Sequence, residues 1–251
     1  MRVRARRSVW ALLIAAAFVL AACGGKKDVP VTETFMPEAS MTQADQLMAD
    51  GNHEEARKVL VEIKNRDTSK KYAQLAQLKI ADSYVREGEP DLGIEEYRKF
   101  LEMYPASEYA ATAQYQIAMA YYRQIESPEK SSGAAQKALQ EFQVLKERYP
   151  RNPYREAVEL RIDKTRNIIA DGEFSVGRFY YKKGSYSAAL GRFEKLINRF
   201  PDYKGADEVL LLMVRSYSAL KMRDKAEETF RILEDKYPSS KFTVEARKGL
   251  R

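Results

Sequence analysis

The sequence predicts an all-α protein built as a superhelix of five helix-turn-helix repeats. Three observations carry this. Tyr104-Pro105, Tyr149-Pro150, Phe200-Pro201 and Tyr237-Pro238 each close a helical pattern. Twelve, eight and five residues before each proline stand a small residue, an aromatic and an apolar one: Gly93, Ala138, Ala189, Ala226; then Tyr97, Phe142, Phe193, Phe230; then Phe100, Leu145, Leu196, Leu233. Upstream helices carry a matching set at Ile80/Ala81/Tyr84, Ile117/Ala118/Tyr121, Val176/Gly177/Tyr180 and Met213/Val214/Tyr217.

An earlier copy lacks the aromatic-proline pair but keeps Ala56, Leu60 and Ile63 at the same offsets, which makes five. The pattern resembles the tetratricopeptide repeat, a helix-turn-helix unit of about 34 residues. Small residues let helices A and B of a unit approach, and the aromatic one turn later fills the gap beside them. Proline ends helix B because it cannot continue the hydrogen-bond ladder. Each hairpin leaves an apolar face that the next repeat covers. Most of the 16 tyrosines therefore read as packing residues.

The elements follow in chain order. Four arginines precede an uncharged stretch of 14 residues, Val9 to Ala22. That is short of the roughly 20 residues a membrane-spanning helix needs, and residues 1–22 read as a signal peptide. The stretch ends Leu20-Ala21-Ala22-Cys23, which resembles a bacterial lipobox; the lone cysteine would carry lipid and begin the mature chain. Gly24, where an inner-membrane retention signal would place Asp, implies the periplasmic face of the outer membrane. Residues 23–40, with Gly-Gly, Lys-Lys and two prolines, read as the lipidated cysteine and a flexible tether. Residues 41–150 hold repeats 1–3, and residues 151–251 hold repeats 4–5 and a capping helix over Lys241 to Leu250.

Successive repeats are offset by 37, 45, 51 and 37 residues. The eight extra residues in the third repeat, around Glu126-Ser127-Pro128-Glu129, have the composition of a surface loop. The 14 extra residues before Gly177 lengthen one helix by about 3.9 turns, so a single helix is expected over roughly 154–183. Val158, Ile162, Thr165, Ile169, Val176 and Tyr180 are its expected apolar stripe, with Gly172 as a point of close contact.

Composition excludes several functions. One histidine and one cysteine cannot build a Cys/His zinc site or a disulfide framework. A histidine-activated nucleophile would depend on His53 alone, which sits in a polar turn, Asp50-Gly51-Asn52-His53. No phosphate-binding glycine loop occurs, and neither an enzyme nor a cofactor beyond the covalent lipid on Cys23 is expected. The net charge of +7 is largely the leader's. Without it Lys and Arg fall from 43 to 39 against 36 acids, so no nucleic-acid partner is implied.

Leader, lipobox, tether and five repeats together resemble the BamD family of outer-membrane β-barrel assembly lipoproteins. The most specific stretch is Gly172-Glu173-Phe174-Ser175-Val176-Gly177-Arg178-Phe179-Tyr180-Tyr181-Lys182-Lys183-Gly184-Ser185-Tyr186, where the family's long helix carries a similar aromatic pattern. The resemblance implies a scaffold anchored to the membrane by lipid alone. Its C-terminal repeats would dock on a POTRA domain of a BamA-type barrel protein, and its N-terminal repeats would receive unfolded outer-membrane proteins beside other Bam lipoproteins. It also places Arg192 as a contact to that POTRA domain. The repeat's concave positions become Met41, Asp45 and Met48; Leu78, Asp82, Val85 and Arg86; and Tyr115, Met119, Tyr122 and Arg123. Arg86 and Arg123 could hold a substrate's C-terminal carboxylate while Tyr115, Tyr122 and Met119 receive its aromatic ring, or they could simply pair with Asp82 or other acids. Another periplasmic repeat lipoprotein, a pilus-biogenesis pilotin or envelope coordinator, is the alternative; the two insertions depart from such regular arrays.

Overall fold

A computed structural model describes residues 35–127 and 132–249. The signal peptide, Cys23, most of the tether and the middle of the 126–132 loop lie outside the described residues. Among the described residues the chain forms eleven α-helices and no strand: α1 Pro37–Ala49, α2 His53–Arg66, α3 Lys71–Glu87, α4 Pro90–Met103, α5 Ala110–Arg123, α6 Ser132–Arg148, α7 Arg155–Lys182, α8 Tyr186–Arg199, α9 Ala206–Ala219, α10 Arg223–Lys236 and α11 Lys241–Gly249. The body starts at Pro37, four residues before Met41. Consecutive helices pack as antiparallel hairpins, and each hairpin packs on the next. This is the tetratricopeptide superhelix, with α11 covering the end of the last repeat.

The seam positions behave as their spacing predicts. Ala138, Ala189 and Ala226 are buried, as are Tyr97, Phe142 and Phe193 one turn later. A Cβ on Gly93 would lie 2.4 Å from Val85 Cγ2 and 3.0 Å from the Ala81 carbonyl oxygen. Phe230 is only partly buried, because beyond it stands the short α11 rather than a full hairpin.

The A–B turns of repeats 1, 2, 4 and 5 share one backbone design. Gly51, Gly88, Gly184 and Lys221 all have positive φ and stand one residue before the next helix's N-cap. The residue after each donates its N–H five residues back, to the carbonyls of Leu47, Tyr84, Tyr180 and Tyr217, closing the helix in a Schellman turn. The first B–A turn lacks Tyr-Pro and uses a carboxylate instead. Asp67 accepts from the backbone N–H groups of Ser69, Tyr72 and Ala73 at 3.0, 2.7 and 2.9 Å. Burial pushes this carboxyl up, but those hydrogen bonds and the Ser69 hydroxyl outweigh it and hold it below the usual carboxylate range.

The long helix α7 spans 28 residues, within one residue of expectation at each end. Its buried stripe differs. Val158, Thr165 and Ile169 are buried as expected, yet Val176 is 40% exposed while Phe174 and Gly177 are buried. Phe174 and Gly177 lie roughly 100–160° around the helix from Val158. The helix changes partners: Val158 and Ile162 pack with α5 and α6, whereas Ile169, Ala170 and Phe174 join the cluster of α8 and α9. The tight helix approach is at Gly177, whose added Cβ would sit 2.4 Å from Phe193 Cε1.

Alanine at an exposed helical glycine gains up to about 1 kcal/mol, but Gly177 should reverse the sign. Phe193 is fully buried and has no room to yield. Gly177→Ala should lower the thermal unfolding midpoint, at a cost of about 1–3 kcal/mol. Gly191→Ala, with nothing within 4 Å of its Cβ, should raise it. Unfolding followed by circular dichroism on the two variants checks the contrast.

Candidate functional site

The A helices of repeats 2 and 3 bring together a charged cluster. Asp82 lies mid-way along α3, and Arg86 follows one turn later on the same face. Arg123 ends α5. Tyr97, from α4, donates its phenolic hydrogen to Asp82 Oδ1. Burial pushes the Asp82 carboxyl above the usual carboxylate range; the Tyr97 hydrogen bond and the positive charges of Arg86, Lys79 and Arg123 oppose that shift and do not overcome it. Burial and the Asp82 charge push the Tyr97 phenol far up, so it stays a proton donor at any ordinary pH.

Three cations thus surround one half-buried acid. Lys79 is spoken for by Asp45, 2.5 Å away on α1. Arg86 and Arg123 are exposed, and neither forms an ion pair among the described residues. The Asp82–Tyr97 pair holds a negative charge below two solvent-facing guanidinium groups, leaving the wall of repeats 2 and 3 positive on balance. Such a surface binds carboxylates through charge-assisted hydrogen bonds.

The aromatic partners are half-buried. Tyr115 stacks on Tyr154, with centroids 4.0 Å apart and planes 7° from parallel. Tyr122 meets Phe142 edge-on at 6.1 Å. The Arg161 guanidinium also lies over the Tyr115 ring, with Cζ 5.8 Å from its centroid, so Tyr115 is committed to packing, whereas Tyr122 lines an open pocket with Ile125 and Ile168. The remaining concave candidates do not line an open groove. Met41, Met48, Leu78 and Met119 are 6–8% exposed and belong to the core. Leu78 packs with residues of α4 and α5, and Met119 with residues of α6 and α7. Val85 also serves packing, with its Cγ2 filling the space that Gly93 leaves. Tyr97 was read only as a seam aromatic; the signal for a second role is that, of the four seam aromatics, it alone carries a hydroxyl.

A second exposed cation stands in the C-terminal half. Arg192 on α8 directly precedes the buried Phe193, points to solvent, and has no ion-pair partner among the described residues. Beneath it two further tyrosine-carboxylate hydrogen bonds tie the repeats: Tyr203 to Asp171 at 2.6 Å and Tyr217 to Glu194 at 2.7 Å. No helix among the described residues is long and apolar enough to cross a membrane.

A family model described as YfiO, outer membrane lipoprotein, matches residues 36–232. An outer membrane protein assembly factor BamD of Neisseria gonorrhoeae is 24% identical over 249 residues, covering 94% of this chain and 93% of that protein. The protein of the same name from Caulobacter vibrioides is 26% identical over 242 residues, covering 95% and 78%. Among solved structures, the TPR2AB domain of yeast Sti1 covers 86% of this chain and 84% of its own at 13% identity, with a TM-score of 0.44.

The raised Asp82 carboxyl has a consequence for stability. The folded state holds the proton more tightly than the unfolded chain, so this group's stabilising effect is full at pH below the ordinary carboxylate value of 3.8 and is lost as pH rises through its raised value. Asp82→Asn keeps an acceptor for Tyr97 without the charge. Its unfolding midpoint should gain on the native protein as pH increases from acid to neutral; a gap that stays constant would contradict the assignment.

Proposed function

The chain belongs to the YfiO family of outer membrane lipoproteins, and on that premise we propose that it is a scaffold of the machinery that assembles β-barrel proteins into the outer membrane. The observation that carries the reading is the family match from α1 into α10, across all five repeats. Relatives that align over nearly the whole chain are named outer membrane protein assembly factors. Lipid on Cys23 would hold the protein on the periplasmic face, since a multi-chain anchor needs no spanning helix. It acts by presenting surfaces, not by catalysis.

Two surfaces divide the work. Arg192 on α8 reaches an acidic residue on a POTRA domain of the barrel component, and other lipoproteins of the machine join the same assembly. Arg86 and Arg123 receive the C-terminal carboxylate of an unfolded barrel protein, with Tyr122 against its last aromatic residue and Tyr115 packed beside it. The burial of the concave methionines narrows this receptor to the chain end. Depleting the protein should lower the amount of folded barrel protein in the outer membrane; unchanged levels would contradict the proposal.

Losing one partner of a desolvated interfacial charge pair costs about 2–5 kcal/mol. Arg192→Glu should therefore weaken co-purification with the barrel component while the circular dichroism spectrum stays unchanged; equal recovery would remove Arg192 from the interface. For the other surface, a C-terminal barrel peptide titrated onto the protein should bind more than tenfold less tightly after Arg86→Ala with Arg123→Ala, since hydrogen bonds to charged groups are worth about 1.5–3 kcal/mol each. Amidating the peptide should have the same effect, and binding that survives both changes would reject the carboxylate clamp.

A further inference from the structure

The A–B turns of stacked repeats fall side by side on one edge of the superhelix, and the two ends of that edge differ in chemistry. In repeats 1 and 2 the turns and first helical residues are acidic on balance, with Asp50, Glu54 and Glu55, then Glu87, Glu89 and Asp91, against Arg86 and the ion-paired Arg57 and Lys58. In repeats 4 and 5 they are basic on balance, with Asp224 in the first turn of α10, and apolar at once. Lys182 and Lys183 close α7, with Phe179 one turn earlier and 55% exposed. The Lys183 Nζ lies 5.7 Å from the Phe179 ring centroid. In the next turn Lys221 stands between Leu220 and Met222, which are 37% and 38% exposed. None of the three lysines forms an ion pair among the described residues.

Lys221 adds a separate observation. Its φ of 60° occupies the left-handed position that glycine fills in the turns of repeats 1, 2 and 4. That backbone is unfavourable for any residue with a Cβ, and a side chain held there is a pointer to function. Here it projects an ammonium group from the tip of the turn, flanked by two exposed apolar side chains. Long cationic side chains beside aromatic and aliphatic ones suit a bilayer interface, where the stems enter the headgroup layer and the charges meet phosphate.

We infer that the edge formed by the turns of repeats 4 and 5 rests on the surface of an anionic phospholipid bilayer. The inference rests on the anchored-lipoprotein reading above. Thirteen residues lie between Cys23 and α1, a reach of about 45 Å at full extension, so an anchored body can turn this edge to the membrane. The acidic turns of repeats 1 and 2 are repelled from the same surface.

The test uses the lipidated full-length protein in vesicles. With the Cys23 thiol consumed, Met222→Cys supplies the labelling site for a fluorophore, and Leu92→Cys in the first turn of α4 is the control. Vesicles of phosphatidylethanolamine and phosphatidylglycerol carry a nitroxide on the headgroup. The label at 222 should be quenched several-fold more than the label at 92. The difference should vanish in phosphatidylcholine vesicles or concentrated salt. Lys182→Glu with Lys221→Glu should weaken the surface contact well over tenfold and so abolish the difference, because each basic residue near an anionic surface contributes about a fivefold gain. Both reversals lie on exposed turns, and circular dichroism confirms the fold. Protein that floats with the vesicles while 222 stays as bright as 92 overturns the inference and leaves the anchor standing. Protein that fails to float overturns both. Shielding of 222 only when envelope proteins are added overturns it in favour of an acidic protein partner.

Discussion

Two helices of a hairpin can close around Tyr97, Phe142 or Phe193 only if the position facing them carries nothing larger than a methyl group. Ala81, Ala118 and Gly177 on the A helices meet this condition, and Gly93, Ala138 and Ala189 keep the B helix equally bare one turn before each aromatic. Every later feature depends on that approach. It sets how far each hairpin turns from the last, and so which A-helix residues face each other across the inner wall. It also forces the left-handed residue at the short A–B turns of repeats 1, 2, 4 and 5, because helices this close must reverse within a few residues.

The same constraint explains how α7 connects the two halves of the array. A helix that packed one face throughout would continue the third repeat and leave α8 without a partner. By turning its buried face at Phe174, α7 closes repeat 3 with its first half and opens repeat 4 with its second. Val176 and Phe179 are the residues that this change of partner leaves exposed. The N-terminal half then carries a carboxylate-binding wall, the C-terminal half carries Arg192 and the basic edge, and one continuous helix fixes their spacing.

Much of this was legible in the chain itself. The small-aromatic-apolar offsets gave the helix pairing, and the bounds of α7 followed from counting turns. What was hidden depended on which neighbour a side chain meets. Periodicity marked Val176 as apolar but could not say that the packing face rotates nine residues after Thr165, at Phe174. It placed Met41, Met48 and Met119 on the concave side without the neighbouring helices that bury them. Asp67 showed no sign of replacing Tyr-Pro, because its role rests on three backbone amides that only the folded turn collects. Arg86, Asp82 and Arg123 were found from repeat register alone, and the Tyr97 hydroxyl that organises them belongs to a residue whose ring already had a purpose.

The account turns on whether the two halves meet different components of one barrel-assembly process. Photoreactive side chains placed at Tyr122 on the inner wall and at Lys195 on α8, followed by irradiation in living cells and mass spectrometry of the products, test this most directly. The account predicts unfolded barrel proteins of several kinds at position 122 and one integral barrel protein with periplasmic domains at position 195. Pilus components at either position, or the same set of proteins at both, would contradict it.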